Sequence, residues 1–158
     1  MKKTVYLDTT IPSYLFDDRD TIRNYLDVTR QWWEQERQHF EVWISEETLS
    51  ELNRGHYPRK LEILDHVSQL PVLPFHRRIA EIVQVYLDHY LMPKVAEGDA
   101  LHLAYASFYK IDFLLTWNCK HLANANKYQH IRIINTRLQL HTPEIVTPLA
   151  LFITETDL

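Results

Sequence analysis

The stretch EGDALHLAYASF, residues 97–108, decides the fold that the sequence predicts. Its apolar residues recur at helical spacing, so we expect a helix that begins near Asp99 and buries one face. The run IDFLLTWN follows at 111–118 and has the composition of a buried strand that delivers Thr116 and Asn118 at its end. An acid in the first turn of a helix also complements the helix dipole, so Asp99 alone does not establish a site.

Length and composition limit the class of protein. The 158 residues suffice for one domain with a substantial core, and we expect a single domain over residues 1–158. The net charge of −4 argues against a protein that coats nucleic acid through bulk electrostatics. Cys119 is the one cysteine, which excludes an internal disulfide and predicts a reducing, cytoplasmic location. We interpret it as a small, partly buried side chain. The sequence has no secretory leader pattern and no apolar run of the roughly 20 residues that span a membrane, so no membrane association is expected.

Strands and helices alternate along the chain. The pattern predicts strands at 4–7, 42–44, 72–73, 113–115 and 145–147. Helices are predicted between them, among others one from Thr21 to about Gln38, one capped by Ser45 and a short helical piece beginning at Lys120. Alternating elements of this kind predict a three-layer α/β/α sandwich with a central, mainly parallel sheet.

Acidic side chains stand after the first and second predicted strands. Asp8 directly follows the first, where it can face a ligand or cap the next helix. In the helix after the second strand, the dipole explains Glu46 and Glu47, whereas Glu51 lies too far along to benefit from it. The carboxyl ends of parallel strands meet at one edge, so Asp8, Glu51 and Asp99 can converge there. Converging carboxylates repel one another and normally hold a hard cation, here Mg²⁺ or Mn²⁺.

Four motifs stand in order along the chain: LDTT at 7–10, ISEETLSEL at 44–52, GDALHLAYA at 98–106 and FLLTWNCKHL at 113–122. Together they resemble the PIN-domain family of metal-dependent ribonucleases, and most closely the VapC-type toxins of toxin–antitoxin pairs. The resemblance extends from the first strand to TPEIVTP at 142–148. It implies a PIN-like α/β/α fold, one or two Mg²⁺ or Mn²⁺ ions, endonucleolytic cleavage of single-stranded RNA, a homodimer and a cognate antitoxin.

The resemblance also implies roles for individual residues. Asp8, Glu51 and Asp99 match the family's acidic metal ligands. Thr9 and Thr116 fall where the family often places small polar side chains that support the site.

Asn118 departs from the family pattern, because many members carry a fourth aspartate there. An asparagine offers a carbonyl oxygen but no charge, so a second metal ion would be held weakly. The alternative interpretation is a catalytically weak or inactive module that binds RNA or protein. Arg54, Lys120 and His121 are candidates for binding the phosphates that flank the cleaved bond.

Other interpretations of these residues find less support. Asp8-Thr9-Thr10 is similar to the haloacid-dehalogenase-type phosphatases, but position 10 lacks the second aspartate that serves there as the general acid. His102 follows Asp99 by one helical turn, yet no second pair completes a di-metal site, so we interpret it as a packed or exposed histidine. The absence of a glycine-rich phosphate loop argues against ATP or dinucleotide binding.

Overall fold

A computed structural model describes residues 1–157 of the chain. Five strands form one parallel sheet: β1 Lys3–Leu7, β2 Phe40–Ser45, β3 Val72–Leu73, β4 Phe113–Leu115 and β5 Glu144–Val146. Their order across the sheet is β3-β2-β1-β4-β5. In the central strand β1, Tyr6 pairs with Trp43 of β2 on one side and with Leu114 of β4 on the other. The predicted parallel sheet is confirmed.

Seven helices connect and cover the strands: α1 Thr10–Leu15, α2 Arg23–Gln35, α3 Glu46–Asn53, α4 Lys60–Val67, α5 Arg77–Asp88, α6 Glu97–Phe108 and α7 Ala125–Arg137. Ser45 caps α3 as predicted. Its hydroxyl accepts the amide of Thr48 at 3.2 Å, and the Thr48 hydroxyl accepts the Ser45 amide at 3.3 Å. This reciprocal pair satisfies two amides that the first turn cannot bond internally.

The two faces of the sheet bury separate apolar clusters. Successive side chains of a strand point to opposite faces, so Val5 and Leu7 pack with α1, α2, α3 and α4. Tyr6 points the other way and packs with α5, α6 and α7. The central strands β1 and β4 are therefore covered on both sides, which explains the apolar runs at 5–7 and 113–115. The predicted three-layer α/β/α architecture is confirmed.

Several local predictions need correction. The helix expected from Thr21 to Gln38 is α2 with a short 3₁₀ turn at each end. The short helical piece expected at Lys120 is a turn, because the side chain of Asn118 takes up the amides that would start it. Cys119 is exposed, not partly buried. Within residues 1–157, no helix combines the length and the apolarity that crossing a membrane requires.

The strand order reverses between β1 and β4. The chain moves outward from β1 through β2 to β3, and then crosses to β4 and β5 on the other side. Open parallel sheets bind their ligands at the carboxyl ends of the strands beside such a reversal. Here the residues at those two ends are Asp8 and Thr116.

Candidate active site

Asp8 lies at the carboxyl end of β1 and is 3% exposed. Its Oδ1 accepts the Thr10 amide at 3.0 Å and the Thr10 hydroxyl at 2.5 Å, and its Oδ2 accepts the Thr116 hydroxyl. Burial raises the pKa of Asp8, although the charge of His102 and the hydrogen bonds from both threonines oppose that shift. Asp8 thus caps the start of α1 and also presents a carboxylate whose orientation is fixed on both oxygens.

Asp99 lies in the first turn of α6, as predicted, and is half-buried. Burial raises its pKa, whereas the charge of His102 and a hydrogen bond from the side chain of Asn118 lower it. Asp99 and Asp8 are therefore both acids that the protein keeps in surroundings unfavourable to their charge.

The Asn118 side chain has a defined orientation. One of its terminal atoms faces the backbone amides of Lys120 and His121, at 3.1 and 3.0 Å. Backbone amides can only donate, so this atom is the carbonyl oxygen. The NH₂ group is then the part of this side chain that lowers the pKa of Asp99. The Asn118 oxygen is occupied by the turn.

Glu51 is joined to the core by a chain of hydrogen bonds. Its Oε1 accepts the Thr9 hydroxyl at 2.9 Å and also bonds His102 Nε2. His102 lies on α6 and is buried, and its Nδ1 is 2.6 Å from the Tyr6 hydroxyl. The Tyr6 hydroxyl is in turn 2.6 Å from Ser45 Oγ. One strand residue, two helix caps and one helix residue thus fix the position of this carboxylate.

Glu51 and His102 form an ion pair. Burial alone would raise the pKa of Glu51, but the hydrogen bond and charge of His102 outweigh it and lower this pKa. Burial alone would lower the pKa of His102, but the hydrogen bond to Glu51 and the charge of Asp8 outweigh it and raise this pKa. Both ring nitrogens of the charged imidazole are donors, so Nδ1 donates to Tyr6. Burial raises the pKa of Tyr6 well above its ordinary value, and it remains a neutral phenol.

The lack of a side chain at Gly98 lets α3 and α6 approach each other. A Cβ at this position would lie 3.3 Å from Glu51 Oε2 and 3.9 Å from Glu47 Oε1. Glu47 therefore borders the site, where burial and the charge of Glu51 raise its pKa. The Arg54 guanidinium lies 3.5 Å from Glu47 Oε1, and its side chain is 67% exposed. The sequence analysis explained Glu47 by the helix dipole alone, but in the structure Glu47 also lies beside Glu51.

The donor chemistry of the site suits a hard divalent cation. The groups that converge here offer carboxylate oxygens, and a cation would relieve the cost of burying Asp8 and Asp99. As the side chains stand, residues 1–157 contain no group of three or more His, Cys, Asp or Glu arranged to hold a metal ion. Glu51 instead bonds Thr9 and His102. A single ion bound by Asp8, Glu51 and Asp99 stays a prediction.

The predicted RNA-binding residues differ in their surroundings. Arg54 lies beside Glu47, as described above. His121 is half-buried, and its charge lowers the pKa of Asp99. Its Nδ1 is buried and has no hydrogen-bond partner within residues 1–157. The side chain of Lys120 is exposed.

Sequence reasoning missed Thr10, His102 and Tyr6 as parts of the site. Thr10 stands two residues after Asp8, the spacing at which an aspartate bonds the backbone of a turn, and this signal was readable. His102 stands one helical turn after Asp99, and its pairing with Glu51 depends on how α3 and α6 pack. Tyr6 alternates with its neighbours in β1, which places it on the α6 face but does not predict its partner.

Comparison with known proteins gives two findings. A family profile described as PIN domain matches residues 5–127. No curated protein matches the sequence.

Solved structures similar to the chain come from several bacteria. A toxin–antitoxin complex from Klebsiella pneumoniae shows 22% identity and a TM-score of 0.58, covering 91% of this chain and 97% of the other. VapBC2 from Rickettsia felis, bound to a DNA fragment from its promoter, shows 16% identity and a TM-score of 0.57, covering 91% and 98%. A sarcin–ricin loop-cleaving VapC toxin from Mycobacterium tuberculosis shows 15% identity and a TM-score of 0.58, covering 74% and 92%. At these identities the likeness concerns the fold.

Proposed function

The chain belongs to the PIN-domain family, and from this premise we propose that it is a divalent-metal-dependent endoribonuclease that hydrolyses phosphodiester bonds of single-stranded RNA. VapC homologues of this family are nucleases in general, and PIN domains generally use divalent metal ions. The observation that carries the proposal is the pair of desolvated carboxylates, Asp8 and Asp99, beside the reversal of strand order. Mg²⁺ or Mn²⁺ is the proposed ion, since the donors are carboxylate oxygens.

Asp8 and Asp99 would hold the ion, with Glu51 next to them. When bound, the cation lowers the pKa of a bound water and neutralises charge that develops on the phosphate. The hydroxyls of Thr10 and Thr116 fix the Asp8 carboxylate before substrate arrives, so little reorganisation accompanies the reaction.

The other polar groups have separate tasks. Asn118 lowers the pKa of Asp99 and so favours the ionised carboxylate that a cation requires. Glu51 stays ionised because His102 lowers its pKa, so it can accept a hydrogen bond from the attacking water and orient it. Arg54 and His121, together with the exposed Lys120, are the proposed contacts to flanking phosphates.

We propose a cognate antitoxin as the protein partner. Two of the similar structures are toxin–antitoxin complexes, which supports a partner of this kind. A homodimer in a reducing, cytoplasmic compartment remains part of the proposal and rests on the family resemblance and on the one cysteine.

The test is cleavage of a single-stranded RNA in Mg²⁺ or Mn²⁺ by the wild type and by Asp8→Asn and Asp99→Asn. Each variant keeps the shape of the side chain and removes its charge, so cleavage should be abolished while the far-UV circular dichroism spectrum stays unchanged. Asp27→Asn is the matched control, because Asp27 is a surface acid whose nearest cation is Arg30 at 3.9 Å. Full cleavage by either site variant would refute the assignment.

The alternative function is a PIN-like module that binds RNA or protein without cutting. Two observations favour it: the Asn118 oxygen already accepts backbone amides, and Glu51 is paired with His102. The same assay separates the two functions. A binding module leaves the RNA intact at every Mn²⁺ concentration, whereas a nuclease does not.

A further inference from the structure

Three aromatic side chains cluster beside the acids. The Trp117 ring is stacked on the Tyr14 ring of α1, with centroids 6.1 Å apart and planes 17° apart. It also contacts the Tyr25 ring of α2, with centroids 4.9 Å apart and planes at 50°. We call Tyr14, Tyr25 and Trp117 the aromatic shelf. None of these residues belongs to the site described above.

The aromatic shelf is joined to Asp8 by hydrogen bonds. Trp117 stands between Thr116 and Asn118 in the chain, and its amide donates to the Thr10 hydroxyl at 2.9 Å. The same hydroxyl donates to Asp8 Oδ1 at 2.5 Å. The backbone of Trp117 is therefore fixed next to the carboxylate that the proposed reaction uses.

The indole of Trp117 is held rigidly. Its Nε1 donates to the buried Thr29 hydroxyl at 2.7 Å, and that hydroxyl donates to the carbonyl of Tyr25 at 2.6 Å. The polar group of the indole is thus already satisfied within the protein. The π surface left for a ligand is that of Tyr25, which packs on this fixed indole, and a ring held in advance reduces the entropy lost on binding.

Tyr25 is more exposed than its position in the sequence suggests. It belongs to the apolar stripe of α2, with Leu26 and Trp32 buried in the core, yet Tyr25 is 46% exposed. The ring therefore covers Trp117 on one side and faces solvent on the other. An exposed aromatic ring that packs on a fixed indole offers its solvent-facing side to a ligand that stacks.

Positive side chains flank the aromatic shelf. Arg19 lies near Tyr14, and Arg23 precedes Tyr25 by two residues; their side chains are 61% and 41% exposed. Arg23 pairs with Asp20, which is 94% exposed, and such exposed pairs contribute only about 0–1 kcal/mol, so a phosphate can replace that carboxylate. Arg19 is held more firmly, because its Nε and Nη2 both contact the Asp17 carboxylate. An extended polyanion with exposed π faces matches this combination of rings and charges.

We propose that the aromatic shelf is a stacking site for a nucleobase of single-stranded RNA, one that flanks the phosphate presented to Asp8. This inference rests on the proposed function, because it takes the substrate class from it. Every base has a π face, so the site accepts any base whose neighbours are unstacked and excludes the paired bases of a duplex.

The test is binding of a fluorescently labelled single-stranded RNA, measured by anisotropy in EDTA so that no cleavage occurs. Tyr25→Ala should weaken binding about 5- to 150-fold, the equivalent of one lost base stack. Tyr25→Phe keeps the ring and should retain the wild-type affinity. Tyr90→Ala is the matched control, since Tyr90 is 88% exposed and follows α5 on the opposite face of the sheet.

If Tyr25→Ala and the wild type bind the RNA with equal affinity, the proposal that the aromatic shelf stacks a base is overturned. A wild type that does not bind the RNA overturns it as well. A loss of the same size with duplex RNA would also overturn it, because paired bases cannot stack there. Cleavage in Mn²⁺ is measured separately: a wild type that binds RNA through Tyr25 but never cuts it contradicts the nuclease proposal alone.

Discussion

Replacing Asn118 by Asp should place a second negative charge beside Asp99. The new carboxylate keeps the acceptor that the backbone amides of Lys120 and His121 use, but puts a charged oxygen in place of the NH₂ group that lowers the pKa of Asp99. Two unit charges roughly 4 Å apart repel by about 4 kcal/mol at an effective dielectric constant of ~20. For a chain of this size, about 1 kcal/mol changes the melting temperature by roughly 2–4 °C, so the metal-free variant should melt up to about 8–16 °C lower.

The assay is thermal unfolding in EDTA and in Mn²⁺. A divalent cation neutralises the new pair, so Mn²⁺ should raise the melting temperature of Asn118→Asp more than that of the wild type. Asn118→Ala is the matched control, because it loses the polar side chain without adding charge, so Mn²⁺ should stabilise it no more than the wild type. A metal-free Asn118→Asp that melts with the wild type, or one that gains no more from Mn²⁺, would refute the orientation assigned to the amide.

Two other predictions concern stability. Thr116→Val removes a hydrogen-bond donor to Asp8 and leaves the backbone amide of Asn118, 2.9 Å from the Thr116 hydroxyl, without its acceptor. Urea unfolding should show that Thr116→Val lowers the free energy of unfolding by about 2–5 kcal/mol and that Thr116→Ser lowers it much less. A valine variant as stable as the wild type contradicts this bonding. Burial lowers the pKa of His66 below its ordinary 6.5, Arg37 adds to the shift and Asp65 opposes it, and His66 Nε2 has no hydrogen-bond partner within residues 1–157. The unfolded chain then binds the proton more tightly, so the free energy of unfolding should fall as pH decreases below about 6.5 and level off below the folded-state pKa. His66→Phe should reduce this pH dependence in urea unfolding, and an unchanged profile would count against a desolvated His66.

The fold was predictable because its signals are local. Alternation of apolar strands with amphipathic helices specifies a parallel sheet, and the apolar residues 5–7 of β1 and 113–115 of β4 specify coverage on both faces. Ser45 was identified as a helix cap from residue type and position alone. The same local rules placed Asp8 at a strand end and Asp99 in a first helical turn.

The hydrogen bonds of the site were less predictable because they join distant parts of the chain. Tyr6 and His102 are 96 residues apart, and no periodicity indicates which hydroxyl an imidazole will meet. Glu51 was singled out among the glutamates of α3 by its position along the helix, but its pairing with His102 depends on the close approach of α3 and α6 at Gly98. The turn after β4 was misassigned as helical because an asparagine side chain competes with the backbone for the same amides.

The outer strands of the sheet are very short. Strand β3 has two residues and β5 has three, and β5 stands between Pro143 and Pro148. Proline offers no amide hydrogen, and so short an edge presents few free backbone groups to a foreign strand. We therefore expect the protein to resist edge-to-edge aggregation at high concentration. Any lasting association should engage side chains on the helical layers, not a sixth strand added to the sheet.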